Sequence, residues 1–231
     1  MSNLTLKDGI KDGSPIFIGY FTTALAFGLL TRTSGLRFIE GLLISMTNYS
    51  GSGQFLMMNL YNAGSFLFEI AISVFFINTR YIFMATSLYN RLEDKNSVAL
   101  KLITGFGTTD EVFAVASFKR KELNTSYMSG LIFTSYAGWV LGTLFGYIAG
   151  TFLPEVLQRA SVITVYAMFA SLLGAETRVH VKALIVFTLS AALNSILILY
   201  LKLSVGLSFI IAMLVATIVG AVIYTDEEAG L

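Results

Sequence analysis

The sequence has no cysteine and a single histidine. The absence of cysteine excludes disulfides, thiol catalysis and cysteine-ligated metal sites. The histidine, His180, lies between Arg178 and Lys182 in a polar segment, where a solvated side chain is expected rather than a metal ligand. We therefore expect no metal or cofactor site. A net charge of +1 without a concentrated basic face also argues against nucleic-acid binding.

Charge is scarce, since charged residues make up 13% of the 231 residues and hydrophobic residues 55%. The mean hydropathy is +0.76. This composition is too apolar for a soluble domain and is typical of a polytopic membrane protein. The first 13 residues lack the apolar run and cleavage site of a signal peptide, so insertion is expected to use the first spanning helix. We expect an all-α protein integral to the plasma membrane, which is the inner membrane in bacteria.

Apolar segments of about 20 residues, the length that crosses a bilayer, predict the spanning helices. They cover residues 14–32, 38–60, 64–89, 126–150, 156–175, 181–201 and 204–224. Pro15 is expected in the first turn of the first helix. The segment 97–118 is short and interrupted, which favours two half-helices or a re-entrant hairpin. The predicted fold is one membrane domain, residues 1–231, with about seven transmembrane helices plus a re-entrant or broken helix.

A weak internal repeat divides the chain into halves of roughly 14–118 and 126–224, in which Asn78 matches Asn194. If residues 97–118 cross the membrane, the Lys and Arg residues outside the helices divide seven and seven between its sides. If they are re-entrant, the division is ten against four. Since cytoplasmic loops carry an excess of Lys and Arg, the second option is favoured. It places the N-terminus outside and the C-terminus inside, and it makes the two halves inverted.

Polar residues interrupt the apolar segments at three places, and they predict broken helices near 48–54, 78–80 and 104–111. Hydrocarbon cannot satisfy polar groups, so each must face a protein partner or a water-filled cavity. For 48–54 the alternative is a loop at the membrane surface that joins two half-length segments. The candidate helix-breaking residues are Gly51, Gly53, Gly105 and Gly107, and the candidate substrate- or ion-binding residues are Gln54, Asn78, Arg80, Thr109, Asp110 and Glu111.

These residue types suit an amino acid, which carries a carboxylate and an ammonium group. The positive end of a broken helix suits the carboxylate, and acidic side chains suit the ammonium group or a coupling ion. On this hypothesis Asp110 and Glu111 hold a proton or the ammonium group, and Arg80 is a counter-ion or gate. Gln54 and Asn78 supply neutral hydrogen bonds. The alternative for the charged residues is a buried Arg80–Asp110 ion pair that only fixes packing.

A glycine face is predicted on the helix at 126–150, where glycine recurs every fourth residue at Gly138, Gly142, Gly146 and Gly150. In an apolar segment this spacing indicates tight helix packing. The neighbouring helix could belong to the same chain or to another one.

Five motifs resemble, in order and at matching spacing, those of the AzlC family of branched-chain amino acid exporters. They are GIKDGSPI at 9–16, ALAFG at 24–28, SGSGQF at 50–55, NTR at 78–80 and TDEVFA at 109–114. The resemblance covers about residues 9–175. It implies a transporter subunit that exports leucine, isoleucine, valine or similar apolar amino acids such as methionine, coupled to the proton gradient. It also implies a small AzlD-like membrane partner of about four helices. Tyr81 stands where the family usually has histidine, so the resemblance does not extend to a proton relay at that side chain.

Other classes of protein remain open from the sequence alone. An ion or small-solute channel would also use polar breaks and glycine packing. A structural membrane subunit of a transport complex could use the glycine face as a docking surface. An enzyme is disfavoured, because the sequence has no metal-binding cluster, no Ser-His-Asp arrangement and no phosphate-binding glycine loop after a strand.

Overall fold

The computed structural model describes residues 4–92, 98–119, 123–150, 152 and 181–223. Within these ranges the regular structure is helical, apart from an isolated bridge between Leu92 and Leu123. The helices are α1 (Leu6–Thr33), α2 (Phe38–Thr47), α3 (Gly51–Asn62), α4 (Leu67–Tyr89), α5 (Val98–Gly107), α6 (Asp110–Ser117), α7 (Thr125–Ala149), α8 (Val181–Leu199) and α9 (Val205–Ile223). The predicted all-α fold is confirmed for this part of the chain. The predicted span 156–175 and His180 lie outside the described residues.

Four of the described helices are long and apolar enough to cross a membrane: α1, α4, α7 and, in α9, residues Val205–Val222. The helices α2, α3, α5 and α6 have 10, 12, 10 and 8 residues. At 1.5 Å per residue they are about 12–18 Å long. That is roughly half of the 30 Å hydrocarbon core of a bilayer. The number of full spans remains a prediction.

Helix α1 begins earlier than residue 14, because a capping box starts it at Leu6. The Thr5 side chain accepts from the Asp8 backbone N–H, and the Asp8 carboxylate accepts from the Thr5 N–H. The prediction that Pro15 lies in the first turn is therefore wrong, since Pro15 is inside the helix. Proline has no N–H to donate to the carbonyl of Lys11. The Ser14 hydroxyl donates to that carbonyl instead, at 2.8 Å.

By its internal contacts the chain divides into two compact units. The first comprises Met1–Phe55 and Ile77–Val162, and the second comprises Leu56–Phe76 and Ile163–Leu231. In the second unit α8 and α9 pack together. The Glu69 carboxylate accepts from the Phe66 backbone N–H at the start of α4 and from the Ser204 hydroxyl at the start of α9. Gly206 of α9 lies directly against Glu69.

The first unit is built on α1 and α7, which pack along their lengths. Methyl groups built on Gly138 and Gly142 would lie 2.6 and 2.5 Å from the carbonyl oxygens of Phe17 and Phe21 of α1, and one on Gly146 would overlap the carbonyl oxygen of Leu25. Gly150 faces the side chains of Leu29 and Arg32. Glycine is required where two helix backbones come this close. The glycine face thus packs on α1 of the same chain.

The residue numbers of α1 and α7 rise together along this contact, so the two helices run parallel. The predicted topology, in which 38–60 and 64–89 cross between them and 97–118 does not, would make α1 and α7 antiparallel. The predicted topology, and with it the inversion of the two halves, is therefore wrong. The count of Lys and Arg residues on each side of the membrane could not reveal that α1 and α7 are parallel. An arrangement in which 38–60 also does not cross gives the same division of ten against four.

The break predicted near 78–80 is absent, because α4 runs without interruption from Leu67 to Tyr89. Asn78, Thr79 and Arg80 are polar, but their backbones are compatible with a helix. The side chains of Asn78 and Arg80 have partners on other elements.

The two ends of the segment that holds α5 and α6 meet. The Arg91 guanidinium donates to the carbonyls of Ala116, Ser117 and Lys119, which follow or end α6. The Leu123 backbone N–H donates to the Arg91 carbonyl at 2.9 Å. The chain therefore leaves α4 and enters α7 from neighbouring positions, as expected for a hairpin.

Candidate functional site

The first break in the apolar segments lies at residues 48–50, between α2 and α3. The Ser50 hydroxyl caps α3, since it accepts from the Gly53 N–H at 3.1 Å. Gly51 and Gly53, predicted as breakers, lie in the first turn of α3 just after the break. A methyl group on Gly51 would lie 2.9 Å from the Trp139 ring, and one on Gly53 would lie 3.0 Å from Asn78 Oδ1. Both glycines therefore allow close approach at the start of α3.

The second break lies at Thr108 and Thr109, between α5 and α6. Thr109 caps α6, and its hydroxyl accepts from the Val112 N–H at 3.4 Å. Gly105 and Gly107, also predicted as breakers, lie in the last turn of α5. A methyl group on Gly107 would overlap the Ile132 side chain of α7. The first turn of α6 carries Asp110 and Glu111.

Arg80 connects the first turns of these two short helices. Its Nη2 atom donates to Ser52 Oγ of α3 at 2.8 Å and forms an ion pair with Asp110 Oδ2 of α6 at 2.9 Å. The Arg80 and Asp110 side chains are 42% and 46% exposed. The predicted Arg80–Asp110 contact is therefore present, but the pair is open to its surroundings rather than sealed in a core.

Asn78 extends this network along α4. Its Oδ1 atom accepts from the Ser50 hydroxyl at 2.6 Å, and its Nδ2 atom donates to Asn48 Oδ1 at 3.3 Å. The Tyr81 hydroxyl lies 3.2 Å from Ser50 Oγ and accepts from Arg80 at 3.3 Å. Polar side chains of α4 thus bind the side chains of Asn48 and Ser50 at the break before α3.

Gln54 is fully buried. Its Oε1 atom accepts from the Trp139 indole N–H at 3.1 Å, and its Nε2 atom donates to the Asn48 carbonyl. Both ends of the amide are engaged within the protein. Gln54 therefore holds the first break against α7. The predicted hydrogen bond to a substrate would use the second N–H of its amide or the second lone pair of Oε1.

Thr109 and Glu111 face a different partner, Tyr20 of α1. The Tyr20 hydroxyl donates to Glu111 Oε2 and lies 2.7 Å from Thr109 Oγ1. Tyr20 is buried, with 9% of its surface exposed, whereas Glu111 is exposed. The ring of Tyr20 packs edge-on against those of Tyr49 and Trp139, at centroid distances of 5.9 and 5.3 Å. This packing fixes the position of its hydroxyl.

The structure therefore brings the six candidate binding residues to one region in the first unit, in two hydrogen-bonded groups. Arg80, Asp110, Asn78 and Gln54 connect through Ser50, Ser52 and Asn48, and Thr109 and Glu111 connect to Tyr20. The groups meet at the start of α6. Sequence reasoning missed Tyr20, Ser50 and Ser52. Tyrosine and serine are common in membrane helices and carry no distinguishing signal there.

Electrostatically, the region combines one guanidinium, two carboxylates and the N-terminal ends of two helices. Each helix N-terminus acts as roughly half a positive charge. The first-turn N–H groups of α3 and α6 and the Arg80 guanidinium favour an anionic group, while Asp110 and Glu111 favour a cationic one. The arrangement can therefore bind a small zwitterion.

The chain is similar in sequence to known membrane proteins. The model of the AzlC protein family matches residues 15–153. The inner membrane protein YgaZ of Escherichia coli K12 is 32% identical over 179 residues, which cover 74% of this chain and 73% of the relative. An uncharacterized membrane protein of Archaeoglobus fulgidus is 35% identical over 169 residues, covering 72% and 74%. The branched-chain amino acid transport protein AzlC of Bacillus subtilis 168 is 23% identical over 141 residues, covering 60% and 55%.

No solved structure matches the chain. The described part has four helices able to span a membrane, and a curated relative is named an inner membrane protein. The chain is thus an integral protein of the cell membrane, and it belongs to the AzlC family, whose Bacillus subtilis member is named a branched-chain amino acid transport protein.

Proposed function

We propose that the protein is a secondary transporter that exports branched-chain or similar apolar amino acids in exchange for protons. The name of the Bacillus subtilis relative supports the substrate class. The geometry around Arg80 supports the kind of ligand. An exporter that draws on the inward proton gradient must bind the amino acid and the proton at coupled positions.

The observation that carries the proposal is the position of Arg80 between the first turns of α3 and α6. Two helix N-termini beside a guanidinium repel one another unless an anion lies between them. Asp110 supplies part of that negative charge. The carboxylate of an amino acid would supply more, bound by the Arg80 guanidinium, the Ser52 hydroxyl and the N–H groups at the start of α3.

The ammonium group of the same amino acid would then lie toward the acidic first turn of α6. Asp110 is held by Arg80, whereas Glu111 has only hydroxyl partners among the described residues. Both acids are within the short turn that starts at Thr109. Separated carboxylate and ammonium sites select an α-amino acid over a simple aliphatic acid or amine.

For the membrane topology, we propose that α2–α3 and α5–α6 are two opposed re-entrant hairpins. Because α1 and α7 run parallel, the chain must cross the membrane an odd number of times between them. The hydrogen bond from Arg91 to the Lys119 carbonyl supports a segment in which α5 and α6 make no net crossing. With α4 crossing once, α2 and α3 together cannot cross. Their breaks then meet at mid-membrane, which is where broken helices of transporters bind substrate.

This topology places both termini on one side if the predicted spans 156–175, 181–201 and 204–224 all cross. That side carries ten Lys and Arg residues and the other four, with Arg80 left out as mid-membrane. The four are Arg32, Arg37, Arg159 and Lys202. Since the richer side is cytoplasmic, both termini lie inside.

We also propose that the transporter works with a small AzlD-like membrane subunit. The support is the resemblance to the AzlC exporters, and the family membership shown by the match over residues 15–153 is consistent with it. The glycine face of α7 does not provide the docking surface, because α1 occupies it.

The proposed function is tested by amino-acid efflux from cells loaded with a leucine-containing dipeptide. Cells that express the chain together with an AzlD-like membrane protein should release leucine faster than cells with an empty vector and faster than cells that express the chain alone. An uncoupler should abolish release against a gradient. Release that equals that of empty cells for every apolar amino acid would contradict the proposal, and uncoupler-insensitive flow only down a gradient would favour a channel.

A further inference from the structure

The neighbouring acids at the start of α6 have different partners. Asp110 is paired with the Arg80 guanidinium at 2.9 Å, whereas Glu111 accepts from the Tyr20 hydroxyl. Among the residues that the structure describes, no basic side chain lies within ion-pair distance of Glu111. Protonation of Asp110 would leave Arg80 without its counter-ion, which is costly in a membrane. Protonation of Glu111 breaks no ion pair.

The Tyr20 hydroxyl can serve Glu111 in both of its protonation states. It has one proton and two oxygen partners, Glu111 Oε2 and Thr109 Oγ1. When Glu111 is ionised, Tyr20 donates to the carboxylate and accepts from the Thr109 hydroxyl. When Glu111 is protonated, its O–H donates to the Tyr20 oxygen, and Tyr20 donates to Thr109. No buried polar atom is left unpaired in either state, so the switch avoids the usual desolvation penalty.

The charged and titratable groups around Glu111 come from five elements. Its neighbour on α6 is Asp110, and the groups that interact with it electrostatically are Tyr20 on α1 and Tyr49 before α3. Farther out are Arg80 and Tyr81 on α4, which interact with Asp110, and Tyr136 on α7, whose ring packs against that of Tyr49. Arg80 is held by Asp110 and Ser52, and the Lys101 ammonium of α5 lies over the Tyr89 ring at 5.6 Å, so both cations have partners other than Glu111.

On the basis of the proposed function, we propose that Glu111 is the coupling carboxylate, which binds either a proton or the ammonium group of the substrate, while Asp110 stays ionised beside Arg80. Tyr20 is the positioning residue for Glu111. From the cytoplasmic side, the ammonium group replaces the proton, which passes to water inside. After the amino acid leaves on the outer side, a proton from outside water forms the carboxyl O–H bond again. Each cycle moves one proton in and one zwitterion out, and no other bond forms or breaks.

The first test uses purified full-length protein in liposomes and radiolabelled leucine. In wild type, counterflow without a pH gradient should show an apparent KM that rises as the pH falls, because protons compete with leucine. The Glu111→Gln variant should keep counterflow with a KM about tenfold higher and a similar maximal rate. Its KM should no longer depend on pH, and a pH gradient should no longer drive net flux.

The second test compares Tyr20→Phe with Tyr49→Phe, a matched control. Both tyrosines are buried in the same ring cluster, but of the two only Tyr20 is hydrogen-bonded to Glu111. Removal of the Tyr20 hydroxyl takes away a donor to the ionised carboxylate, so protons should compete better. The midpoint of the KM profile should move to higher pH by about one unit. Tyr49→Phe should leave the midpoint in place. If the midpoint of the KM profile is unchanged in Tyr20→Phe, Tyr20 does not position Glu111.

A third measurement does not depend on transport. In infrared difference spectra between low and high pH, all 14 Asp and Glu residues contribute carbonyl intensity when they are protonated. Subtraction of the Glu111→Gln spectrum from that of wild type should leave the band of one carboxyl group, whereas subtraction of the Asp110→Asn spectrum should leave none. Identical spectra of wild type and Glu111→Gln, or net flux of this variant that still follows the pH gradient, would overturn the inference about Glu111. If wild type shows the band but no leucine counterflow, the proposed function fails with the coupling role, although Glu111 still titrates.

Discussion

Gly142 illustrates how single residues set the packing of the first unit. A methyl group at this position would lie 2.5 Å from the Phe21 carbonyl oxygen and 2.7 Å from Ala24 Cβ, both in α1. Backbone atoms cannot move aside as a flexible side chain can. Gly19 of α1 is the opposite case, since nothing lies within 4 Å of the corresponding methyl position.

We therefore expect Gly142→Ala to lower the free energy of unfolding by about 1–3 kcal/mol, because overpacking forces the helices apart. Gly19→Ala should leave it unchanged or raise it by up to about 1 kcal/mol, since alanine favours the helix. Thermal unfolding of the purified variants in detergent measures both. Equal midpoints for the two alanine variants would contradict the close contact between α1 and α7.

At the residue scale, the sequence indicated which side chains are polar in an apolar setting, but not which partners they choose. Asp110 and Glu111 look equivalent in sequence. On a helix, successive side chains point about 100° apart, so Asp110 reaches Arg80 of α4 while Glu111 reaches Tyr20 of α1. The partner of each acid depends on contacts between residues that are 30 and 91 positions apart, which no local pattern reports.

At the scale of elements, α6 is held at both ends by arginines of the α4 segment. Arg80 pairs with Asp110 in its first turn, and Arg91 donates to carbonyls at its C-terminal end. A guanidinium at the C-terminus of a helix also interacts favourably with the helix dipole. An eight-residue helix is marginal by itself, so these contacts determine whether it forms.

Replacement of Arg91 by glutamine should release the C-terminal end of α6. We expect amide hydrogen exchange in residues 112–119 to become faster by a factor of ten or more, which corresponds to a loss of about 1.5–3 kcal/mol from hydrogen bonds to a charged group. Arg37→Gln is the control, because its pair with Glu40 is 79% and 39% exposed and contributes little. Unchanged exchange in α6 of Arg91→Gln would show that the clamp does not stabilise the helix.

The elements were predictable where the backbone itself is interrupted. The stretch 48–54 is rich in glycine and serine, and 104–111 is rich in glycine and threonine. Each contains a break between two short helices. At 78–80 the prediction is wrong, since polarity without glycine or proline does not end a helix. The start of α1 was missed for a related reason. The capping box of Thr5 and Asp8 extends the helix through a charged stretch that hydropathy treats as outside the membrane.

At the scale of the whole molecule, the proposed topology makes a direct prediction about accessibility. The wild-type chain has no cysteine, so single cysteines can be introduced without a background. Asn90 and Phe118 flank the segment that holds α5 and α6, and Phe152 follows α7. Asn90→Cys and Phe118→Cys should react with a membrane-impermeant maleimide only from the cytoplasmic side. Phe152→Cys should react only from outside.

Labelling of Asn90→Cys and Phe118→Cys from opposite sides of the membrane would mean that the segment with α5 and α6 crosses it. That result would contradict the re-entrant hairpin. If both were labelled from outside, the hairpin would stand but the orientation of the chain would be reversed. The sequence alone could not decide this, because the charge count is ten against four in both re-entrant arrangements. The parallel contact of α1 and α7 distinguishes them.

We expect the region around Arg80 to bind a zwitterionic apolar amino acid. Leucine-dependent thermal stabilisation of the purified protein tests this binding most directly. Leucine at 100 times its dissociation constant should stabilise wild type by about 2.7 kcal/mol. Arg37→Gln should respond like wild type, because its exposed side chain is paired with Glu40 at the start of α2. Arg80→Gln, although folded, should show no leucine-dependent shift. An equal shift in wild type and Arg80→Gln would contradict the claim.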